Sequence, residues 1–192
     1  MVSQHVVSES FGWGAAMFGL DRDIQADNDR GLNWPLNIHN IFTGERVHVA
    51  AVCYRLKGDE PEFLLVRTRS GRWTFPKGGV DDDATHADAA AREAFEEAGV
   101  KGRIEFEPFH WYFHSKRERF RSPRMVVAVQ AHLCEVERLV SPQEERRDPT
   151  WFKADKARRR LRENRSPELA QEVIDVVDRA IQRIRALRRR TA

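Results

Sequence analysis

Three glutamates within about one turn of a predicted helix are the residues of this sequence best suited to chemistry. Drawn as a helix, Glu93, Glu96 and Glu97 share an arc of about 100°. Like charges at this spacing repel, at a cost of roughly a few tenths of a kcal/mol per pair. A divalent cation would offset that cost, and Mg²⁺ or Mn²⁺ is the natural candidate because both favour oxygen ligands. The competing interpretation is a solvated acidic helix face.

The segment around the glutamates favours the metal site over the solvated face. Thr85 and Asp88 form a possible capping box that starts the helix, and Gly99 stands at the position where helices commonly end. Small residues fill much of the side opposite the glutamates, which lets the helix lie close against a sheet: Ala87, Ala90, Ala91, Ala94 and Ala98. A metal held by carboxylates can bridge phosphate oxygens and help to activate a water. The pattern therefore predicts hydrolysis of a phosphoanhydride.

The remaining elements alternate between strands and helices. A β-branched run over 47–56 and a returning run over 63–67 predict a hairpin, and a short strand over 73–76 leads into the glutamate segment. Further strands are predicted over 104–114, 125–136 and 150–152, followed by helices over 154–163 and from about 167. This order predicts an α/β fold with a mixed sheet between helical layers.

Length and composition predict one domain with an appendage. The 192 residues are 41% hydrophobic and 33% charged, which is typical of a soluble globular protein. Residues 47–192 form the predicted domain, and residues 1–46 form an N-terminal extension whose aromatic residues are expected to dock on the core or on a second subunit, as in a possible homodimer. No apolar run of about 18 residues occurs, so we expect no membrane contact.

Cysteine usage and charge distribution indicate the cellular compartment and the class of binding partner. Cys53 and Cys134 both fall in strand-like apolar runs, which predicts two buried reduced thiols in a cytoplasmic protein. The net charge of +3 is uneven, because residues 154–192 hold 12 Lys/Arg against 6 Asp/Glu. Such a basic tail could attract nucleic acid, but a solvated face of an amphipathic helix is the favoured reading.

Gly78 followed by the run from Arg92 to Val100, REAFEEAGV, resembles the Nudix box, G-x5-E-x7-R-E-U-x-E-E-x-G-U, where U is apolar. The resemblance covers about residues 47–157 and implies an α/β/α sandwich that cleaves a phosphoanhydride with Mg²⁺ or Mn²⁺. By position in the box, Glu93 and Glu97 look like metal ligands, with the Gly78 carbonyl a further one. Glu96 looks like another ligand or the general base, and Arg92 like the residue that orients a glutamate.

One fixed position of the box departs from the family pattern. Ala84 stands where the family has its first glutamate, a residue that supports the loop and sometimes touches metal. We expect altered or weakened metal binding rather than an inert protein, with Asp81, Asp82 or Asp83 as partial substitutes. An acid downstream often completes such sites, and Glu144 or Glu145 is a candidate by location.

Basic residues at three separate loops suggest a polyanionic substrate. They precede the box, fill the segment 116–124, and include Arg146 and Arg147 ahead of Trp151. The arrangement is similar to that of the diphosphoinositol polyphosphate and diadenosine polyphosphate phosphohydrolases. That likeness implies phosphate contacts from five residues: Arg69, Lys77, Arg121, Arg124 and Arg147. ADP-ribose, nucleotides or an RNA 5′ end remain alternatives, as does a non-catalytic module that binds a ligand or nucleic acid.

Overall fold

Two parallel strands form the centre of an eight-stranded mixed sheet in this computed structural model, which describes residues 47–81, 83–116 and 125–191. Strand β1 (His48–Lys57) runs beside β7 (Met125–Leu139), with Ala50 opposite Ala131. Val49 to Cys53 have no exposed surface, because both faces of β1 are covered. A β-branched, apolar run is what such a position requires.

The other strands extend the sheet on both sides of this pair. β2 (Glu60–Arg67) forms a hairpin with β1 and also pairs with β3 (Trp73–Thr74) and β8 (Thr150–Lys153). β4 (Lys77–Gly79) pairs with the start of β1, opposite His48 to Ala50. β5 (Val100–Ile104) and β6 (His110–Lys116) pair with successive parts of β7. All of these pairings are antiparallel, so β1 and β7 form the single parallel pair among the described strands.

Helices cover the two faces of the sheet and divide the core into two clusters. Helix α1 (His86–Ala98) lays its alanines on Val49, Ala51 and Cys53. Helices α2 (Ala154–Arg162) and α3 (Pro167–Thr191) cover the opposite face, where Ala50, Val52 and Tyr54 point. Strand alternation therefore sends neighbouring residues of β1 into different clusters.

The structure confirms the predicted α/β fold, a mixed sheet between helical layers. The predicted hairpin, the glutamate helix and the two C-terminal helices are all present, whereas the run predicted over 104–114 is two strands with a break between them. Sequence reasoning missed β4, because Lys-Gly-Gly carries no strand pattern. Cys53 and Cys134 are free and buried, as expected. The N-terminal extension over 1–46 lies outside the described residues, so its predicted docking stays a prediction.

No helix in the described part of the chain is long and apolar enough to cross a membrane.

Candidate active site

Both ends of α1 are fixed by the predicted capping residues. The Asp88 amide donates to the Thr85 hydroxyl oxygen at 3.1 Å, and the Thr85 hydroxyl donates to the Asp88 carboxylate at 2.7 Å. Gly99 ends the helix with φ 66°, in the left-handed region. A Cβ there would meet the Val140 carbonyl oxygen at 1.9 Å. Both the backbone conformation and the lack of space therefore require glycine. The helix is thereby held in one register, which fixes the direction of its glutamates.

Glu93 lies directly against the backbone of Gly78 in β4. A Cβ placed on Gly78 would be 1.9 Å from Glu93 Oε1, so any side chain there would displace the carboxylate. Burial raises the pKa of Glu93, and the neighbouring charge of Glu96 raises it further. The partly desolvated carboxylate of Glu93 therefore lies directly against the backbone of Gly78.

Glu97 is almost completely buried, with 2% of its surface exposed. Its carboxylate accepts a hydrogen bond from the Lys77 amide at 3.4 Å, and Arg147 Nη2 lies 2.6 Å from its other oxygen. Burial raises the pKa of Glu97 to about 7, although the charges of Lys77 and Arg147 act to lower it. The helix-wheel prediction placed Glu97 with the other glutamates opposite the alanines, but the structure shows that it faces the protein rather than solvent.

Arg147 reaches Glu97 from a loop with an unusual backbone. Arg146 and Asp148, on either side of it, have φ of 67° and 49°, a region that residues other than glycine seldom adopt. The loop is tied to the end of β2, because the Arg67 amide donates to the Arg147 carbonyl at 2.5 Å and Arg67 pairs with Asp148. Such strain persists only where surrounding contacts hold it, and it commonly accompanies functional sites.

Glu144 is the downstream acid that the fold brings to the site. Its carboxylate pairs with Arg147 at 2.6 Å, and its charge raises the pKa of both Glu93 and Glu97. The Glu144 amide also donates to the Glu96 carbonyl at 2.9 Å, which joins the loop to α1. Glu145, the other candidate, is exposed in the same loop, as Glu144 is, but only Glu144 is among the main charges that raise the pKa of Glu93 and Glu97.

Arg92 forms its ion pair with the loop before α1. Its guanidinium lies 2.8 Å from Asp81, whereas the resemblance implied that Arg92 orients a glutamate. Ala84 packs against the apolar cluster beneath α1, and its amide donates to the Asp81 carbonyl at 3.1 Å. Asp81, one of the three aspartates expected to substitute for a glutamate at position 84, therefore connects the loop to Arg92.

The donor set fits a hard divalent cation that keeps most of its own waters. No group of three acidic, histidine or cysteine side chains among the described residues is arranged to hold a metal alone. Mg²⁺ commonly binds through one or two carboxylates, waters and substrate phosphates, so it needs no such group. Glu93 seated over Gly78 and Glu97 buried beside it supply two carboxylates, and burial raises the pKa of both.

The predicted substrate contacts divide into three sets. Lys77 and Arg147 stand beside Glu97. Arg69 lies in the exposed turn between β2 and β3. Arg121 and Arg124 fall outside the described residues.

Sequence reasoning missed Asp81 as the partner of Arg92. The run of three aspartates after Val80 was the signal that could have indicated an acidic partner there.

Comparison with known proteins identifies a family for most of the chain. The family model described as "NUDIX domain" matches residues 45–173. Nudix hydrolase 18, mitochondrial, from Arabidopsis thaliana is 36% identical over 128 residues, which cover 60% of this chain and 68% of that protein. Diphosphoinositol polyphosphate phosphohydrolase 3-beta from Bos taurus is 37% identical over 62 residues, which cover 32% of this chain and 38% of that protein. The chain thus spans well under half of that second relative.

Two solved structures share the fold at low sequence identity. The C. elegans Ap4A hydrolase binary complex is 19% identical with a TM-score of 0.52, covering 74% of this chain and 99% of that one. The Nudix domain of Shewanella oneidensis NrtR, complexed with ADP ribose, is 17% identical with a TM-score of 0.54, covering 82% and 97%. Likeness at this level establishes the architecture.

Proposed function

The chain belongs to the Nudix family of hydrolases, and we propose that it uses a divalent metal to cleave a phosphoanhydride bond in a highly phosphorylated substrate. The observation that carries this proposal is the position of Glu97. This buried carboxylate stands beside Glu93 and between the cations Lys77 and Arg147, so the residues proposed to bind metal and phosphate lie close together. A diphosphoinositol polyphosphate or a dinucleoside polyphosphate is the substrate class that we favour.

Glu93 and Glu97 would hold the cation, together with the carbonyl of Gly78. When bound, Mg²⁺ or Mn²⁺ would polarise the phosphate oxygens and lower the pKa of a bound water. The close approach of Glu93 to Gly78 supports this assignment, because a backbone oxygen and a carboxylate at one place suit a hard cation. Glu144 stands close enough to affect the pKa of both glutamates and is a further candidate for the site.

Glu96 would orient the attacking water or accept its proton. It is half-buried on α1 between the two proposed ligands in sequence, and its carbonyl accepts from the Gln143 and Glu144 amides at 2.9 Å. These bonds hold the loop that carries Glu144 against the backbone of Glu96. Arg92 acts indirectly, because its pair with Asp81 fixes the loop against α1 and its charge lowers the pKa of Glu93.

Phosphate oxygens would be neutralised by Lys77 and Arg147. Lys77 is partly buried, and desolvation lowers its pKa while Glu97 acts to restore it. Both side chains stand within one cluster with Glu97, so a substrate phosphate near the metal would meet two cations from different elements. Arg69, Arg121 and Arg124 are proposed as further contacts. The likeness to the bovine diphosphoinositol polyphosphate phosphohydrolase supports a substrate with many phosphates.

Charge-removing variants test the proposed roles of the glutamates. We expect Glu97→Gln and Glu93→Gln to lower kcat at least about a hundredfold while preserving the fold, because each keeps the shape and removes a metal-binding charge. Glu145→Gln, an exposed neighbour in the loop, is the matched control and should stay within about twofold. Turnover would be measured with Mg²⁺ on a diphosphoinositol polyphosphate, and folding by circular dichroism. Unchanged turnover in Glu97→Gln would refute the assigned site.

A further inference from the structure

Three partly buried cations near β4 form no ion pair at contact distance with an acidic side chain of the described residues. They are Arg72, Lys77 and Arg165, and we refer to them as the cationic cluster. Other part-buried arginines in the described chain have one: Arg158 pairs with Asp178, Arg183 with Glu105 and Arg147 with Glu97. The charges of Glu97 and Glu93 offset part of the charge of Lys77, but no described carboxylate pairs with Arg72 or Arg165. A bound anion would therefore lower the free energy of this place.

Arg165 is held rigidly in this cluster. It follows α2 and donates to the Trp73 carbonyl at 2.7 Å and also to the Leu161 carbonyl. Burial lowers the pKa of Arg165 to about 10, with the charge of Arg72 contributing. Two backbone acceptors engage part of the guanidinium and leave its positive charge uncompensated, which is a prearranged anion contact.

The register of the sheet places Tyr112 and Lys77 on the same face of the sheet, the face that α2 and α3 cover. Val129 is opposite both Tyr112 and His48, and Tyr112 and Val129 lie in the core cluster beneath α2 and α3. Lys77 is opposite Ala50, a member of that same cluster, whereas Gly78 faces Glu93. Successive residues of β4 therefore present Lys77 on one face of the sheet and the Glu93 site on the other.

Tyr112 and His114 contribute neutral polar groups to this face. The Tyr112 side chain is 1% exposed, and its hydroxyl has no hydrogen-bond partner among the described residues. Arg165 and Glu97 are the charges that influence that hydroxyl. Burial lowers the pKa of His114 to about 3, with additional lowering from Lys77, Arg165, Arg72 and His48, so its imidazole is neutral at pH 7. An unsatisfied buried hydroxyl costs about 1–3 kcal/mol unless a ligand supplies its partner.

We propose that the cationic cluster, with Tyr112 and His114, binds a phosphate group of the substrate that is not attacked. This inference rests on the proposed function and extends it to a second phosphate position, across β4 from Glu93. Arg and Lys provide charge, while a phenol and a neutral imidazole provide directed donors, a combination that suits a phosphate dianion. Lys77 links the two positions, because its amide contacts Glu97 and its side chain belongs to the cluster.

Binding of inorganic tripolyphosphate in excess EDTA tests the cluster apart from catalysis. We expect wild-type protein to bind it, Arg72→Gln to bind about tenfold more weakly, and Tyr112→Phe about threefold more weakly. Arg159→Gln, which removes an exposed arginine of α2, is the matched control and should bind like the wild type. Isothermal titration calorimetry would give the affinities, and thermal melts would show that each variant is folded.

The melting temperature of Arg72→Gln, with and without tripolyphosphate, distinguishes an anion-binding role of Arg72 from a purely structural one. Because Arg72 is repelled by its neighbours, Arg72→Gln should melt at the same or a higher temperature without ligand, yet gain less from tripolyphosphate. Equal affinities for wild type, Arg72→Gln and Tyr112→Phe would overturn the proposal, as would a wild type that does not bind tripolyphosphate. Either result leaves metal-dependent hydrolysis to be judged by turnover. Conversely, binding without turnover would refute the proposed function and retain the cluster.

Discussion

Glu97 has an arginine at the place where its proposed function requires a metal. Arg147 lies 2.6 Å from one Glu97 oxygen and 2.6 Å from Glu144, so a single guanidinium spans two acidic groups. This internal counter-ion makes the burial of Glu97 tolerable in the absence of metal, since an unpaired buried charge is costly. A divalent cation at Glu97 would compete with Arg147, and the released guanidinium would be available to a substrate phosphate.

The metal affinity of an Arg147 variant tests this competition. We expect Arg147→Gln to bind Mn²⁺ about tenfold more tightly, because both the competing ion pair and the repulsion of the incoming cation are lost. Burial raises the pKa of Glu97 to about 7, and loss of Arg147 would raise it further, so the affinities belong at about pH 8.5, above the wild-type value. Electron paramagnetic resonance of free Mn²⁺ gives the affinity. Weaker or equal binding would contradict the competition.

The loop that carries Ala84 is joined to α1 by an ion pair. Ala84 contributes its methyl group to the apolar cluster under α1, while Asp81 supplies the carboxylate that pairs with Arg92. The loop and the helix are therefore still connected by an ion pair. Because this pair is substantially exposed, its contribution to stability is small, and its effect is on the position of the loop.

At the scale of elements, two glycines border the site and serve different purposes. Gly78 in β4 leaves room for the tip of a flexible side chain, whereas Gly99 after α1 leaves room for the Val140 backbone and has a left-handed φ. A flexible carboxylate can move aside, but a backbone carbonyl in a packed turn cannot move at low cost. Substitution at the first position should therefore affect function, and substitution at the second should affect folding.

The paired variants Gly78→Ala and Gly99→Ala test this difference. We expect Gly78→Ala to unfold within about 1 kcal/mol of the wild type, yet to bind Mn²⁺ about 10–100-fold more weakly, because Glu93 is displaced. Gly99→Ala should lose at least about 1–3 kcal/mol of unfolding free energy. Urea denaturation and Mn²⁺ titration give both quantities. A Gly78→Ala variant with unchanged metal affinity would remove Glu93 from the proposed metal site.

Local signals in the sequence were sufficient for the elements that carry the glutamates. Thr85, Asp88 and Gly99 each act on residues a few positions away in the sequence, and the alanine face of α1 follows from helical periodicity. The loop that carries Arg147 could not be predicted in the same way. Arg146 is of a type that rarely adopts the left-handed conformation, and no local signal predicts it there. Contacts distant in the sequence, such as those with Arg67, hold the path of this loop.

At the scale of the whole molecule, the sheet has the acidic glutamate site on one face and the cationic cluster on the other. One face carries α1 with its glutamates, and the opposite face carries the cationic cluster beside Tyr112. The sequence indicated basic loops around the box. It did not show that Lys77 and Gly78, neighbours in β4, face opposite sides of the sheet. Arg165 could not be recognised from sequence, because its approach to Trp73 spans 92 residues of chain. A polyphosphate lying along β4 would contact both faces.

Cleavage of a highly phosphorylated substrate in the presence of Mg²⁺ is the measurement that tests the central claim most directly. Wild-type protein would be incubated with a diphosphoinositol polyphosphate, a dinucleoside polyphosphate, ADP-ribose and nucleoside triphosphates, with Mg²⁺ or with EDTA, and products followed by ³¹P NMR. We expect cleavage of a phosphoanhydride in one of the first two substrates, and its loss in EDTA or in Glu97→Gln. No cleavage of any substrate, or cleavage that persists in EDTA, would contradict the proposed metal-dependent hydrolase.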